Sequence, residues 1–268
     1  MPDMSSDKEI RVKNFSFESL KDGASFLEID LSGGLIALLT LDRKTILSYA
    51  VRGDGKTVAT HPCTPNFGPD GRGVDESDKL PQHGPGRNSI WKKVESDDSS
   101  ELRIRLEIDG EQYPEFKGLV VEQAFRLDSD ELTIETTHFN NGSEEMPVNF
   151  GEHFYFNALV SGWKDLHING APMADNVKNT GVIDLKKENI ISGLDVGEIT
   201  LKQEGFSRGV LWTGKNKETG EYDKLYVCFE PVEGDPVDGD DPGFFGTEES
   251  MIEPNQSRKT VIKLSLDN

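Results

Sequence analysis

The chain sets 49 aspartates and glutamates against 29 lysines and arginines in 268 residues, a net charge of -20 at pH 7. So acidic a surface repels nucleic acid and anionic membranes, which excludes both as natural partners, and a phosphorylated ligand would need a local cluster of Arg or Lys. Only 34% of the residues are hydrophobic, and no apolar run approaches the roughly 20 residues that span a bilayer.

Cys63 and Cys228 are far apart and outside any paired motif, which gives neither a disulfide framework nor a zinc cage. The stretch Met1 to Lys8 has no basic region leading into an apolar one. These features imply a cytoplasmic protein with reduced thiols. The length fits one large all-β domain or two small ones, and we read residues 1–268 as a single β-sandwich domain.

In chain order, Ile10–Phe17 and Ala24–Leu31 alternate like half-exposed strands, and Gly33-Gly34 turns the chain. Leu35–Leu41 is a continuous apolar run short enough for a buried strand, and Thr45–Val51 follows as another. Thr60 to Asn88 holds five prolines and as many glycines, so neither helix nor regular sheet is expected there. Polar and aromatic side chains are interleaved with those prolines: His61, Cys63, Asn66, Phe67, Gln82, His83 and two arginines. A stiff loop of this kind is suited to holding a site.

Strands are predicted at Ser89–Glu95, Glu101–Asp109, Gly118–Leu127 and Glu131–Asn140, with Asp109-Gly110 and Asn141-Gly142 as turns. An aromatic strand containing His153 comes next. Pro172–Lys187 reads as a loop, then Gly197–Gln203, Gly209–Thr213 and Lys224–Glu230 as strands. Pro231–Thr247 reads as a second long loop, and Lys259–Leu266 as a closing edge strand. Many short strands with turn punctuation, and no long helix or repeat, imply an all-β antiparallel sandwich or barrel.

Three segments could carry chemistry: Leu80–Asn88, the His153 strand, and Leu225–Pro231, where an apolar strand ends in Glu230. A histidine among aromatics has its proton affinity tuned by desolvation, although a core histidine bonded to a backbone carbonyl has the same sequence. Glu230 reads equally as a partly desolvated general base or as a loop carboxylate in water. His61 and Cys63 are spaced like a metal pair without a third or fourth ligand, His138 and His167 read as structural, and the acidic run Asp235–Asp241 as a solvated loop.

Together these segments resemble the aldose 1-epimerases of the galactose mutarotase-like superfamily. His153-Phe154-Tyr155-Phe156-Asn157 is similar to the family's His-x-Tyr-Phe-Asn strand. Asn66-Phe67-Gly68-Pro69, Leu80–Asn88 and Trp91 are similar to its Phe-Gly … Leu-Pro-Gln-His-Gly-x-x-Arg-Asn … Trp segment. Cys228-Phe229-Glu230-Pro231 is similar to Cys-Ile-Glu-Pro, and Met251–Leu266 to the closing strand.

The resemblance implies a large antiparallel β-sandwich holding one sugar, and interconversion of α and β anomers without cofactor or metal. His153 would be the acid toward the ring oxygen and Glu230 the base toward the anomeric hydroxyl, one on each side of the sugar. His83, Arg87, Asn88, Asn66 and Arg72 would contact the substrate, a free sugar or, with Arg72, Lys79 and Arg87 as a basic cluster, a sugar phosphate. The protein would be a monomer or homodimer.

Two departures stand out. Glu152 precedes the histidine, and either contacts it or points to the opposite face. Asn255 replaces a family glycine, and Glu253 beside it is a rival for the base. A non-catalytic carbohydrate-binding protein and a glycoside hydrolase or lyase remain the competing functions.

Overall fold

The computed structural model describes residues 26–29, 37–40, 57–60, 62–63, 84–88, 91–98, 101–128, 131–157, 165–173, 182–194, 197–212, 219, 226–233 and 251–267. Among the described residues the regular structure is antiparallel strand, with 3-10 turns at Pro85–Asn88 and Pro114–Phe116. The strands are β1 (Phe26–Ile29), β2 (Ala37–Thr40), β3 (Thr57–Thr60), β4 (Pro62–Cys63), β5 (Lys92–Val94), β6 (Glu101–Glu107) and β7 (Leu119–Asp128). Next come β8 (Glu131–Asn140), β9 (Met146–Pro147), β10 (Gly151–Glu152), β11 (Phe154–Asn157), β12 (His167–Ile168), β13 (Ala171–Pro172) and β14 (Val182–Asp184). The chain continues through β15 (Glu188–Leu194), β16 (Gly197–Glu204), β17 (Arg208–Trp212), β18 (Tyr226–Val232), β19 (Met251–Ile252) and β20 (Ser257–Asp267).

Eighteen of these strands form two large sheets, and β9 pairs with β19 apart from them. The first runs β1-β2-β3-β11-β18-β10-β4, with β17 also beside β18 and β14 beside β17; the second runs β13-β12-β15-β16-β20-β8-β7-β6-β5. The period-2 pattern explains how they pack. On β8, Leu132, Ile134, Thr136, His138 and Asn140 are buried while their neighbours are half-exposed. That inner face meets Phe154, Phe156, Leu211, Val227 and Phe229 of the first sheet in one apolar core. Phe154 and Phe156 stack with ring centroids 6.0 Å apart, and each fully buried phenyl contributes roughly 1.5–3 kcal/mol. The outer face of the second sheet carries cross-strand ion pairs, Lys259–Glu135 at 2.7 Å and Arg105–Glu122 at 3.1 Å among them. Among the described residues no helix is long and apolar enough to cross a membrane.

Four expectations are corrected. Lys259–Leu266 is not an edge: β20 is paired on both sides, with β16 and β8. Its alternating lysines mark the solvent face of a central strand, a pattern an edge strand shares. The Pro172–Lys187 loop contains β14, paired with β17. The proline-rich stretch beginning at Thr60 enters the first sheet as β4, where Pro62 lies opposite Glu152 in the outermost position of the sheet path. Such an edge tolerates the missing N–H. Strand β18 does not stop at Glu230 but carries Pro231 and Val232 onward, opposite Gly209 and Arg208. The expected strands Ile10–Phe17 and Thr45–Val51 lie outside the described residues.

Candidate active site

His153 occupies a one-residue break between β10 and β11. The ladder to β18 keeps one register across it: Gly151 is opposite Val232 and Phe154 opposite Phe229, so His153 falls opposite Glu230. Phe154, Phe156, Val227 and Phe229 point into the core, so alternation sends His153, Cys228 and Glu230 to the other face of the first sheet. There Nε2 of His153 lies 3.0 Å from Oε1 of Glu230, with the two side chains 3% and 5% exposed. When the carboxylate is ionised it only accepts, and Nε2 is then the donor of this contact.

The ligand atoms of His153, Cys228 and Glu230 all lie within 4.8 Å of one another. Trp212, opposite Cys228 in the ladder, is 38% exposed and meets the His153 ring edge-on at 6.4 Å between centroids. The expectation of an acid and a base set apart across a sugar is corrected: the two groups touch. Cross-strand neighbours on one face are the closest side-chain pairs a sheet offers.

A polar layer lies inside the sandwich, behind this pair. Glu152 turns inward, away from His153, and accepts a hydrogen bond from Gln123 Nε2 at 3.3 Å; the same amide donates to Thr136 Oγ1 at 3.1 Å. Alternation at Glu152 therefore decides between the two readings open for it. Glu233 Oε2 accepts from the Phe150 N–H at 3.1 Å and from Arg258 Nη2 at 2.9 Å, and Arg258 also donates to the Val148 carbonyl. Burial pushes the Glu233 carboxyl up to about 7, against the opposing pull of Arg258 and the Phe150 N–H. Burial, aided by the Arg258 charge, drives the His138 imidazole down to about 3. Its ring packs on Phe150 at 5.1 Å. The sequence reading of His138 as structural agrees with this position.

His153 and Glu230 are thus brought together. Arg87 and Asn88 end the 3-10 turn Pro85–Asn88, which packs against β4; Trp91 fixes that turn by donating from Nε1 to the Gly86 carbonyl at 2.9 Å. Gly84, with φ of 78°, opens it in a conformation glycine adopts without strain. His83, Asn66, Arg72, Lys79, His61 and the Asp235–Asp241 run lie outside the described residues. Cys63 lies opposite Gly151. His167 donates from Nδ1 to the Asp165 carbonyl, 2.9 Å away. Glu253 is exposed in the turn feeding β20, where Asn255 takes the left-handed conformation (φ of 60°), which asparagine tolerates better than most residues. Trp212 was not singled out from the sequence. Its signal is faint, an aromatic at the outward end of a strand otherwise made of one arginine, glycine and aliphatics.

The model of the aldose 1-epimerase family matches residues 13–193. No curated protein matches the chain. Among solved structures, a galactose mutarotase-like protein from Lactobacillus casei ATCC 334 is 15% identical with a TM-score of 0.68, over 92% of this chain and 99% of that one. A Synechocystis sp. PCC 6803 protein, Slr1438, is 20% identical with a TM-score of 0.66, over 96% and 99%. Galactose 1-epimerase from Lactobacillus acidophilus NCFM is 17% identical with a TM-score of 0.59, over 96% of each chain. These likenesses show a shared galactose mutarotase-like fold.

Proposed function

The chain belongs to the aldose 1-epimerase family, and on that premise we propose that it interconverts the α and β anomers of a hexose or hexose phosphate, with His153 as general acid and Glu230 as general base. The observation that carries this reading is the direct contact of a buried imidazole and a buried carboxylate at 3.0 Å.

The chemistry needs such a neighbouring pair. The ring oxygen must gain a proton and the anomeric hydroxyl must lose one, and both oxygens are bonded to the same carbon. An acid and a base that already touch have only to part around those two oxygens. Nε2 of His153 gives its proton to the ring oxygen while Glu230 takes the proton of the anomeric hydroxyl. The bond from C1 to the ring oxygen breaks, leaving an open-chain aldehyde. Rotation about C1–C2 presents the other face of the carbonyl. Glu230 then returns its proton to the carbonyl oxygen as the ring oxygen attacks C1, and His153 recovers its own. The cycle leaves both groups as they began, so protons and electrons balance without an added reactant.

We assign the substrate wall to His83, Arg87, Asn88, Asn66 and Arg72, with His83 steadying charge at the ring. Trp212, exposed and edge-on to His153, offers an amphipathic ring beside the pair. A retaining or inverting glycosidase would need a second carboxylate roughly 5–9.5 Å from the first, and the adjacent Glu152 is committed to the interior.

Polarimetry on fresh solutions of single anomers, free hexoses and hexose phosphates alike, tests the assignment. Faster decay of rotation with protein supports it. Binding of the sugar without acceleration would leave a carbohydrate-binding protein instead, and cleavage of aryl glycosides a hydrolase.

A further inference from the structure

We propose that His153, Cys228 and Glu230 also form a binding site for one borderline-soft divalent cation of the zinc class, and that a cation seated there blocks the reaction pair. Imidazole, thiol and carboxylate occupy one face of adjacent strands, with ligand atoms within 4.8 Å of one another and residues that are 3%, 0% and 3% exposed. Ligands at about 2.0–2.3 Å around tetrahedral zinc stand roughly 3.3–3.8 Å apart. The imidazole and carboxylate, at 3.0 Å, are already that close, so side-chain rotation to bring in the thiol completes three ligands and leaves the fourth position open.

The donor set also selects. Magnesium and calcium want oxygen alone, whereas a thiolate with an imidazole suits zinc or cobalt. The acidic surface, at -20, raises the local concentration of cations. Binding displaces the thiol proton of Cys228 and takes His153 as the neutral imidazole with its proton on Nδ1, so it releases at least the thiol proton and strengthens as pH rises. Occupancy uses the nitrogen and the carboxylate that the reaction needs; the inhibitory half of the inference therefore rests on the proposed function, while the binding half does not.

Titration of the metal-free full chain with Co2+ reads the site without any sugar. The expected result is one equivalent of Co2+ giving a sulfur-to-cobalt charge-transfer band in the near ultraviolet, displaced by Zn2+ but not by Mg2+. Cys228→Ser and Cys228→Ala abolish the band, Cys63→Ser keeps it, and thermal unfolding of each variant confirms that it is folded. Absence of the band in the native chain, or its survival in both Cys228 variants, overturns the site. Zn2+ should slow mutarotation in step with displacement of Co2+. A cobalt band in a protein without mutarotase activity would keep the site and remove the proposed function. Mutarotation without a cobalt band would do the reverse.

Discussion

Two buried titrating groups, Glu233 and His138, make opposite contributions to stability. The Glu233 carboxyl is raised from 4.5 to about 7, so the folded state holds a proton that the unfolded chain has already released. Its contribution is full below about 4.5 and is lost as pH rises through about 7. His138 is lowered from 6.5 to about 3, so its contribution is full above 6.5 and is lost as pH falls toward about 3. Glu233→Gln should therefore gain in melting temperature relative to the native protein between pH 5 and pH 8, roughly the Glu233 window. His138→Gln should gain between roughly pH 7 and pH 4. Parallel curves for either variant would contradict the assignment. At this scale the sequence made His153 and Glu230 legible because each sits in a short motif. It left Glu233 and Arg258 hidden, since an acid in an Asp- and Gly-rich stretch and a basic residue near the chain end both read as solvent-facing.

Elements hold the site by register and by a crossing clamp. Arg258, on β20 of the second sheet, reaches the Val148 carbonyl and Glu233, while the Glu233 carboxylate and N–H engage the N–H and carbonyl of Phe150. The segments leading into His153 and out of Glu230 are thus tied to the opposite sheet. Arg258→Met removes the guanidinium from that carbonyl and leaves the carboxylate the Phe150 N–H, and should cost about 1–3 kcal/mol, read by denaturant unfolding. Strand β15 changes register between Ile191 and Leu194, and Gly193 sits there with φ of 83°. A Cβ at Gly193 would stand 1.8 Å from the Asp165 carbonyl oxygen. Gly193→Ala should cost at least about 1–3 kcal/mol, and an unchanged denaturation midpoint would mean that the bulge relaxes freely.

The strands from Glu101 to Asn140 were legible because clean alternation and Asp-Gly and Asn-Gly turns bound them. The position of β20 was not, because alternation reports which face is buried and is silent on whether an edge is paired. For the same reason the pairing of His153 with Glu230 could not be read from motifs far apart in sequence; only the ladder between β18 and β10–β11 sets it.

For the whole molecule, two sheets enclose an apolar core and a polar layer, and the candidate site sits on the opposite side of the first sheet. Fold class was legible from strand count and turn punctuation, which are local. The division of strands between two sheets is a long-range property and came only with the coordinates. The net charge of -20 acts at this scale too. Self-repulsion opposes compaction, so melting temperature should rise as salt is added from about 0.01 M to about 0.15 M, where the screening length shrinks from roughly 30 to 8 Å. A flat or falling curve would mean that the surface ion pairs, weakened by the same salt, outweigh the repulsion.

The central claim is that the touching imidazole and carboxylate move two protons on one sugar carbon. Polarimetry of Glu230→Gln and His153→Gln on a substrate turned over by the native protein tests it most directly, with sugar binding measured alongside. Each substitution should lower the turnover rate by about 10²–10⁴-fold while sugar binding persists. Near-native turnover in a folded Glu230→Gln variant would contradict the account.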